Sequence, residues 1–168
     1  MNDFLKELKD EANRLEEDAT YSGKRHYAAF SRWRLIHYII GSVSVALALV
    51  GTTLAFQELS YWVTGVLTVL SASITIILTL LNPSEKSAKH KASGDGYFAL
   101  KDEARCFRNI TVRDVSNIDE YTVKLKELMD VKFELRKVSP NTSNIDFKKA
   151  RKAIEEGEVD YKIDGKDK

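Results

Sequence analysis

Residues 64–86 read TGVLTVLSASITIILTLLNPSEK, with no charge from Thr64 through Ser84. The run is nevertheless not uniformly apolar. Thr64, Thr68, Ser71, Thr75 and Thr79 recur at steps of four, three, four and four, which sets five hydroxyls on one side of one helix. A helix this long and uncharged can cross a bilayer. Its polar stripe then needs a partner other than lipid tails.

Working outward, the apolar residues are concentrated rather than spread at soluble-domain spacing. From Leu35 to Ser84 the only charged residue is Glu58. It divides two uncharged runs, Leu35–Gln57 with 23 residues and Leu59–Ser84 with 26. At about 1.5 Å per residue each covers at least roughly 34 Å, against a hydrocarbon core of about 30 Å. The turn around Phe56-Gln57-Glu58-Leu59-Ser60 is short, so transmembrane helix 1 (35–57) and transmembrane helix 2 (59–82) are expected as antiparallel neighbours. The rest of the chain is too small a shell to hide two such runs in a soluble core. A signal peptide fits poorly, because 34 mostly polar residues come first and a second span follows.

Basic residues set the expected orientation. Lys24, Arg25, Arg32 and Arg34 precede the first span, Lys86, Lys89 and Lys91 follow the second, and the loop has neither Lys nor Arg. The positive-inside rule places both termini in the cytoplasm. Trp33 and Tyr38 are expected at the inner interface, Tyr61 and Trp62 at the outer one. Tyr27, Phe30 and Trp33 alternate with basic residues in the stretch from Lys24 to Arg34. This suits ordinary interfacial anchoring, with lipid or nucleotide phosphate binding as the sharper alternative.

The flanks, 1–34 and 84–168, read as helical. Leu5, Leu8, Ala12, Leu15 and Ala19 form a short heptad seam, with Asn2 or Asp3 as its cap. Ser22-Gly23 predicts a break. Asn82-Pro83 ends or kinks the second span, and Ser84 can cap a continuation. Glu85–Arg113 reads as helix weakened by Gly94 and Gly96. Asn117-x-x-Glu120 has the form of a capping box before a helix patterned by Tyr121, Leu125, Leu128, Phe133 and Leu135 and stopped at Ser139-Pro140. A last helix, about Ile145 to Glu156, carries Phe147, Ala150 and Ile154 and ends at Gly157. Residues 162–168 read as a frayed charged tail. The expected architecture is all-α: a membrane helical hairpin with a cytoplasmic helical bundle built from both termini.

The residues offer little chemistry. The net charge is +1, so no global field points to nucleic acid and DNA is not an expected partner. The single cysteine, Cys106, excludes an intrachain disulfide and reads as a small, partly buried thiol. His26, His37 and His90 lack metal-ligand spacing and read as structural hydrogen-bonding residues. Gly94-x-Gly96 has neither a preceding strand nor a third glycine. Asp102-Glu103 are adjacent and share no helix face. No catalytic constellation and no cofactor are expected.

The order of features resembles the SLATT family of small bacterial two-transmembrane proteins. The resemblance covers nearly the whole chain. It rests on RHYAAFSRWRLIHYIIG entering the first span, on the close hairpin, and on NPSEKSAKHKASGDGYFALKDEAR after the second span, with His90, Tyr97 and Leu100 at family-like positions. It rests above all on LRKVSPNTSNIDFKKARKAIEEGEVDY, with Ser139-Pro140, Phe147, Ala150, Ile154, Gly157 and Tyr161. Gly94 and Gly96 depart from the pattern, because that helix is usually less glycine-rich. The resemblance implies an oligomeric effector of anti-phage defence whose pore damages the membrane and kills or arrests the infected cell. It also implies control by a cyclic or linear oligonucleotide signal or by the enzyme that makes it.

Two readings of the stripe follow. Gly41, Ser44, Ala48, Gly51 or Thr52, and Ala55 make a matching small-residue stripe on the first span, so both stripes can serve helix packing. Two helices cannot enclose water, however, so Thr64, Thr68, Ser71, Thr75 and Thr79 can also line a pore contributed by several copies. A membrane anchor or scaffold that recruits a cytoplasmic partner is the alternative function; a lipid-modifying enzyme lacks catalytic residues. For the ligand, Arg105 and Arg108 flank Phe107 beyond the reach of the topology rule and are the nucleotide-binding candidates.

Overall fold

The structure, a computed structural model, describes residues 2–57, 60–112 and 117–159. Glu58 and Leu59 of the turn, Arg113, Tyr161 and the 162–168 tail lie outside these described residues. Among them every regular element is helical: α1 (Asn2–Phe56), α2 (Tyr61–Leu81), α3 (Pro83–Cys106), a π-helical turn (Phe107–Thr111), α4 (Ile118–Val138) and α5 (Asn144–Glu155). The all-α class is as expected. The chain divides into two compact units, one of Met1–Ala29 with Lys89–Lys168, the other of Phe30–Ala88.

In the first unit, α1 presents Leu8, Ala12, Leu15 and Ala19 to Leu100 and Ala104 of α3, to Phe107 and Val112, and to Tyr121, Leu125 and Leu128 of α4. The heptad spacing of α1 therefore faces a core within the chain, with Leu5 packed against it. Each large side chain buried there contributes about 1.5–3 kcal/mol. Val112 N–H donates to the Phe107 carbonyl at 3.1 Å, the wide i→i−5 step of a π turn. Both Phe107 and Val112 are buried, and the Phe107 ring meets Tyr121 edge-on, 6.4 Å between centroids.

Several local expectations are corrected. Helix α1 runs unbroken for 55 residues through Ser22-Gly23, about 80 Å of helix. Gly23 serves close packing instead, since a Cβ there would stand 3.3 Å from the Phe98 ring. Gly94 and Gly96 likewise lie inside a continuous α3. A Cβ at Gly94 would reach the Tyr27 ring at 2.7 Å, and one at Gly96 would reach Leu135 Cδ2 at 2.7 Å. Asn117 makes no side-chain cap, and Phe133 is exposed beneath Lys137 rather than in the core. The capping box belongs to Ser143 and Asp146 at the start of α5: Asp146 Oδ2 accepts from Ser143 N at 2.9 Å, and Asp146 N donates to Ser143 Oγ. At the other end of α5, Gly157 takes φ 79°. There Glu158 N–H reaches the Ala153 carbonyl and Gly157 N–H the Ile154 carbonyl, the paired bonds of a Schellman stop.

In the second unit the apolar parts of α1 and α2 meet in antiparallel register. A Cβ on Gly41 would stand 3.9 Å from Leu78, and one on Gly51 3.4 Å from Leu67. Both helices are long and apolar enough to cross a membrane, and their most apolar windows are only 11% and 6% buried, unlike a soluble core helix. Between α2 and α3 the cap is Asn82, not Ser84. Asn82 adopts left-handed φ 41°, its N–H closes α2 on the Leu78 carbonyl, and its Oδ1 accepts from Glu85 N at 3.3 Å. Pro83 follows at the first helical position, where the missing N–H costs no helical bond.

The glycines of α3 yield a contrast. Gly94→Ala should lower the melting temperature, because the Tyr27 ring is pinned through its hydroxyl to Asp95 and cannot give way; overpacking of this kind costs about 1–3 kcal/mol. Gly96→Ala meets the flexible end of Leu135, so the helix-propensity gain of roughly 1 kcal/mol offsets the clash. Thermal unfolding followed by circular dichroism checks both; equal shifts would contradict the packing role of Gly94.

Candidate functional site

The hydroxyl stripe of α2 begins from i−4 geometry. In an apolar helix a Ser or Thr hydroxyl satisfies itself on the carbonyl one turn back. Thr68, Thr75 and Thr79 do so, each donating at 2.9 Å to Thr64, Ser71 and Thr75 respectively. Ser71 differs: it is buried, and its Oγ donates across to the Ser44 carbonyl of α1 at 2.9 Å. Ser44, also buried, lies 2.8 Å from Thr75 Oγ1 and 3.1 Å from the Ser71 carbonyl. The structure thus brings Ser44, Ser71 and Thr75 into one interhelical cluster.

The remaining stripe residues are placed differently. Thr64 Oγ1 is buried and makes no hydrogen bond among the described residues. Thr68 and Thr79 are exposed. On α1, Gly41 and Ser44 face α2, and so does Gly51 rather than Thr52. The Thr52 hydroxyl turns back onto the exposed Ala48, donating to its carbonyl at 2.8 Å. A step of seven from Ser44 returns a helix to within about 20° of the same face, whereas a step of eight drifts by about 80°.

The two arginines are engaged in pairing with nearby side chains. Arg105 pairs with Asp102 at 3.3 Å. Arg108 pairs with Glu16 at 3.0 Å and donates to Asn13 and to Asn109. Phe107 is 2% exposed and belongs to the core, so no ring is presented between them. Flanking in sequence put these residues on different helix faces. Cys106 is exposed rather than partly buried.

The structure also forms a histidine pair that sequence reading missed. His26 of α1 and His90 of α3 are buried, with their Nδ1 atoms 3.1 Å apart. One ring must donate and the other accept, so the pair holds at most one proton comfortably. His26 stacks on Tyr97 with centroids 5.5 Å apart and planes at 16°. Burial, the neighbouring His90 and Arg25 push the His26 pKa down to about 4, against a smaller opposing pull from Asp146. No group of three or more His, Cys, Asp or Glu that could hold a metal occurs among the described residues. The sequence signal was a matter of register: 64 residues separate the pair, and only the packing of α1 on α3 joins them.

The depressed pKa has a sign. Between pH 6.5 and about 4 the unfolded chain binds a proton at His26 that the folded chain refuses, so stability is full above 6.5 and falls as pH drops through that window. The loss amounts to roughly 3 kcal/mol at most. His26→Phe keeps a ring on Tyr97 and removes the titration, so it should flatten this part of the acid dependence. Unfolding of both proteins in detergent across pH 7.5 to 4 is the measurement; identical acid slopes would contradict the assignment.

No family model matches the chain, and neither does any curated protein or solved structure.

Proposed function

We propose that the chain is a two-span membrane effector with both termini in the cytoplasm, whose copies assemble into a pore under control of the helical cytoplasmic part. The observation that carries the membrane reading is the outward face of the apolar helices. Leu35, Ile39, Val43 and Leu49 of α1 and Val66, Val69, Ile76 and Leu80 of α2 are exposed, while Ser44 and Ser71 are buried between the two helices. That is the pattern of a hairpin dissolved in lipid, with its exposed hydroxyls bonded back to carbonyls of their own helix. Trp33 supports an inner interface, with Lys86 Nζ 4.6 Å and the Arg32 guanidinium 5.1 Å from its ring.

The effector class comes from the resemblance to the SLATT family, which also supports an oligonucleotide signal or its synthase as the trigger. Thr68, Thr75 and Thr79 are the exposed residues of the stripe and the ones available for an aqueous path between copies. A second reading, a membrane anchor or scaffold for a cytoplasmic defence partner, is favoured by one observation: the middle of the stripe meets α1 of its own chain.

Substitutions separate these roles. Among the described residues the Thr68 hydroxyl bonds to its own helix, so Thr68→Val should lower conduction and leave the oligomer intact, by making an apolar ring that dewets. Ser44→Ala removes bonds between α1 and α2 and should loosen the hairpin by about 0.6 kcal/mol per bond. Dye flux from liposomes containing only this protein, with oligomer size in detergent, reads both. Absence of flux with an intact oligomer, with and without oligonucleotides, would favour the anchor.

Orientation is tested after Cys106→Ser removes the exposed native thiol. A membrane-impermeant maleimide added to intact cells should label Gln57→Cys and spare Ser22→Cys; the opposite pattern inverts the topology.

A further inference from the structure

In the first unit, α1, Tyr97 of α3, the C-terminal end of α4 and the Ser139–Thr142 segment enclose a cleft of about 560 Å³. That lies within the range of about 300–1,000 Å³ typical of small-molecule sites. Its charge is one-sided. Arg25, Lys132 and Arg136 line it against a single carboxylate, Asp18, which already pairs with Lys132. Sequence gave no hint of this grouping, because Arg25 stands more than a hundred residues before the other two cations.

Two buried polar atoms around this cleft have no hydrogen-bond partner among the described residues: Arg25 Nε and Ser139 Oγ. An unmet buried donor is unfavourable, so a ligand that accepts from these groups relieves that penalty. The Arg25 guanidinium is held over the Phe147 ring at 5.3 Å, a contact that restrains its position. Arg136 is exposed and makes no ion pair among the described residues. Asn141 and Thr142 add neutral hydrogen-bonding groups, and Tyr21 adds a phenol.

We infer that this cleft binds a small phosphorylated anion. Three cations against one carboxylate leave an excess that matches the charge of roughly −1.5 to −2 on a phosphate monoester. Arginine presents paired N–H donors in the geometry of phosphate oxygens. A cation is repelled, and an apolar ligand leaves the unmet donors unmet. The site replaces Arg105 and Arg108 as the place where a signal reaches the helical part. It adds a ligand class to the proposed control by an oligonucleotide, but binding here does not require a pore.

The test is calorimetry on the full chain in detergent, with pyrophosphate, adenosine monophosphate and glycerol 3-phosphate as probes. All three should compete for one site, and binding should weaken as salt rises. Tighter adenosine monophosphate assigns the source to a free nucleotide; tighter glycerol 3-phosphate assigns it to a lipid headgroup. Arg136→Glu, at an exposed position that should spare folding, is expected to weaken binding roughly tenfold or more. Lys132→Gln should weaken it less, since Asp18 already occupies that cation. Arg14→Gln, outside the cleft, should leave it unchanged. No binding by any probe, or equal losses in Arg14→Gln and Arg136→Glu, overturns the site. Flux from liposomes is read separately, so a failed site and a failed pore give different results.

Discussion

The close approach of α1 and α3 at Gly23 and Gly94 is the contact on which the first unit depends. A Cβ on Gly94 would lie 3.5 Å from the Gly23 carbonyl and inside the Tyr27 ring, so neither helix could come so near with ordinary side chains at these positions. From that approach follow the burial of His26 beside His90, the bond from Tyr27 Oη to Asp95, and the seating of Phe98 over Gly23. Two glycines in helix interiors cost about 1 kcal/mol each in propensity. The packing they permit offsets that cost and makes both helices continuous where composition alone suggests weakness.

The apolar helices obey a different constraint. On the proposed membrane reading no water is available to an unsatisfied backbone or hydroxyl group, which favours partners within the protein. Thr68 and Thr79 meet this on their own helix, through i−4 carbonyls. Ser44 and Ser71 meet it across the two helices, at a place where small side chains let the backbones come close. One chemical type at one periodicity therefore does two jobs. The difference is set by which face of α2 meets α1.

The cleft beside α4 shows how charge is organised without a net field. The chain carries a net charge of +1, and many of its ionic side chains pair locally, as Arg151 does with Glu155 and Lys91 with Asp95. Exposed pairs of this kind contribute little to stability. What matters for binding is where pairing is incomplete. That happens where the Ser139–Thr142 segment turns the chain from α4 toward α5 and leaves Arg25 and Arg136 facing a common space.

Sequence by itself determined the helical class, the two apolar helices, the α1 seam of Leu8, Ala12, Leu15 and Ala19, and the stops at Ser139-Pro140 and Gly157. These are local properties: periodicity, propensity and cap chemistry act within a turn or two of the chain. It misjudged Ser22-Gly23, Gly94 and Gly96 because glycine reads as a breaker unless the partner helix is known. It placed Phe133 in one pattern with Leu135, although a two-residue offset points elsewhere on a helix. Only the tertiary structure decided that His26 meets His90, that Ser44 meets Ser71 and Thr75, and that Arg25 shares a space with Lys132 and Arg136. Those groupings join residues 27 to more than a hundred positions apart, and helix-on-helix register, which no local spacing encodes, brings them together.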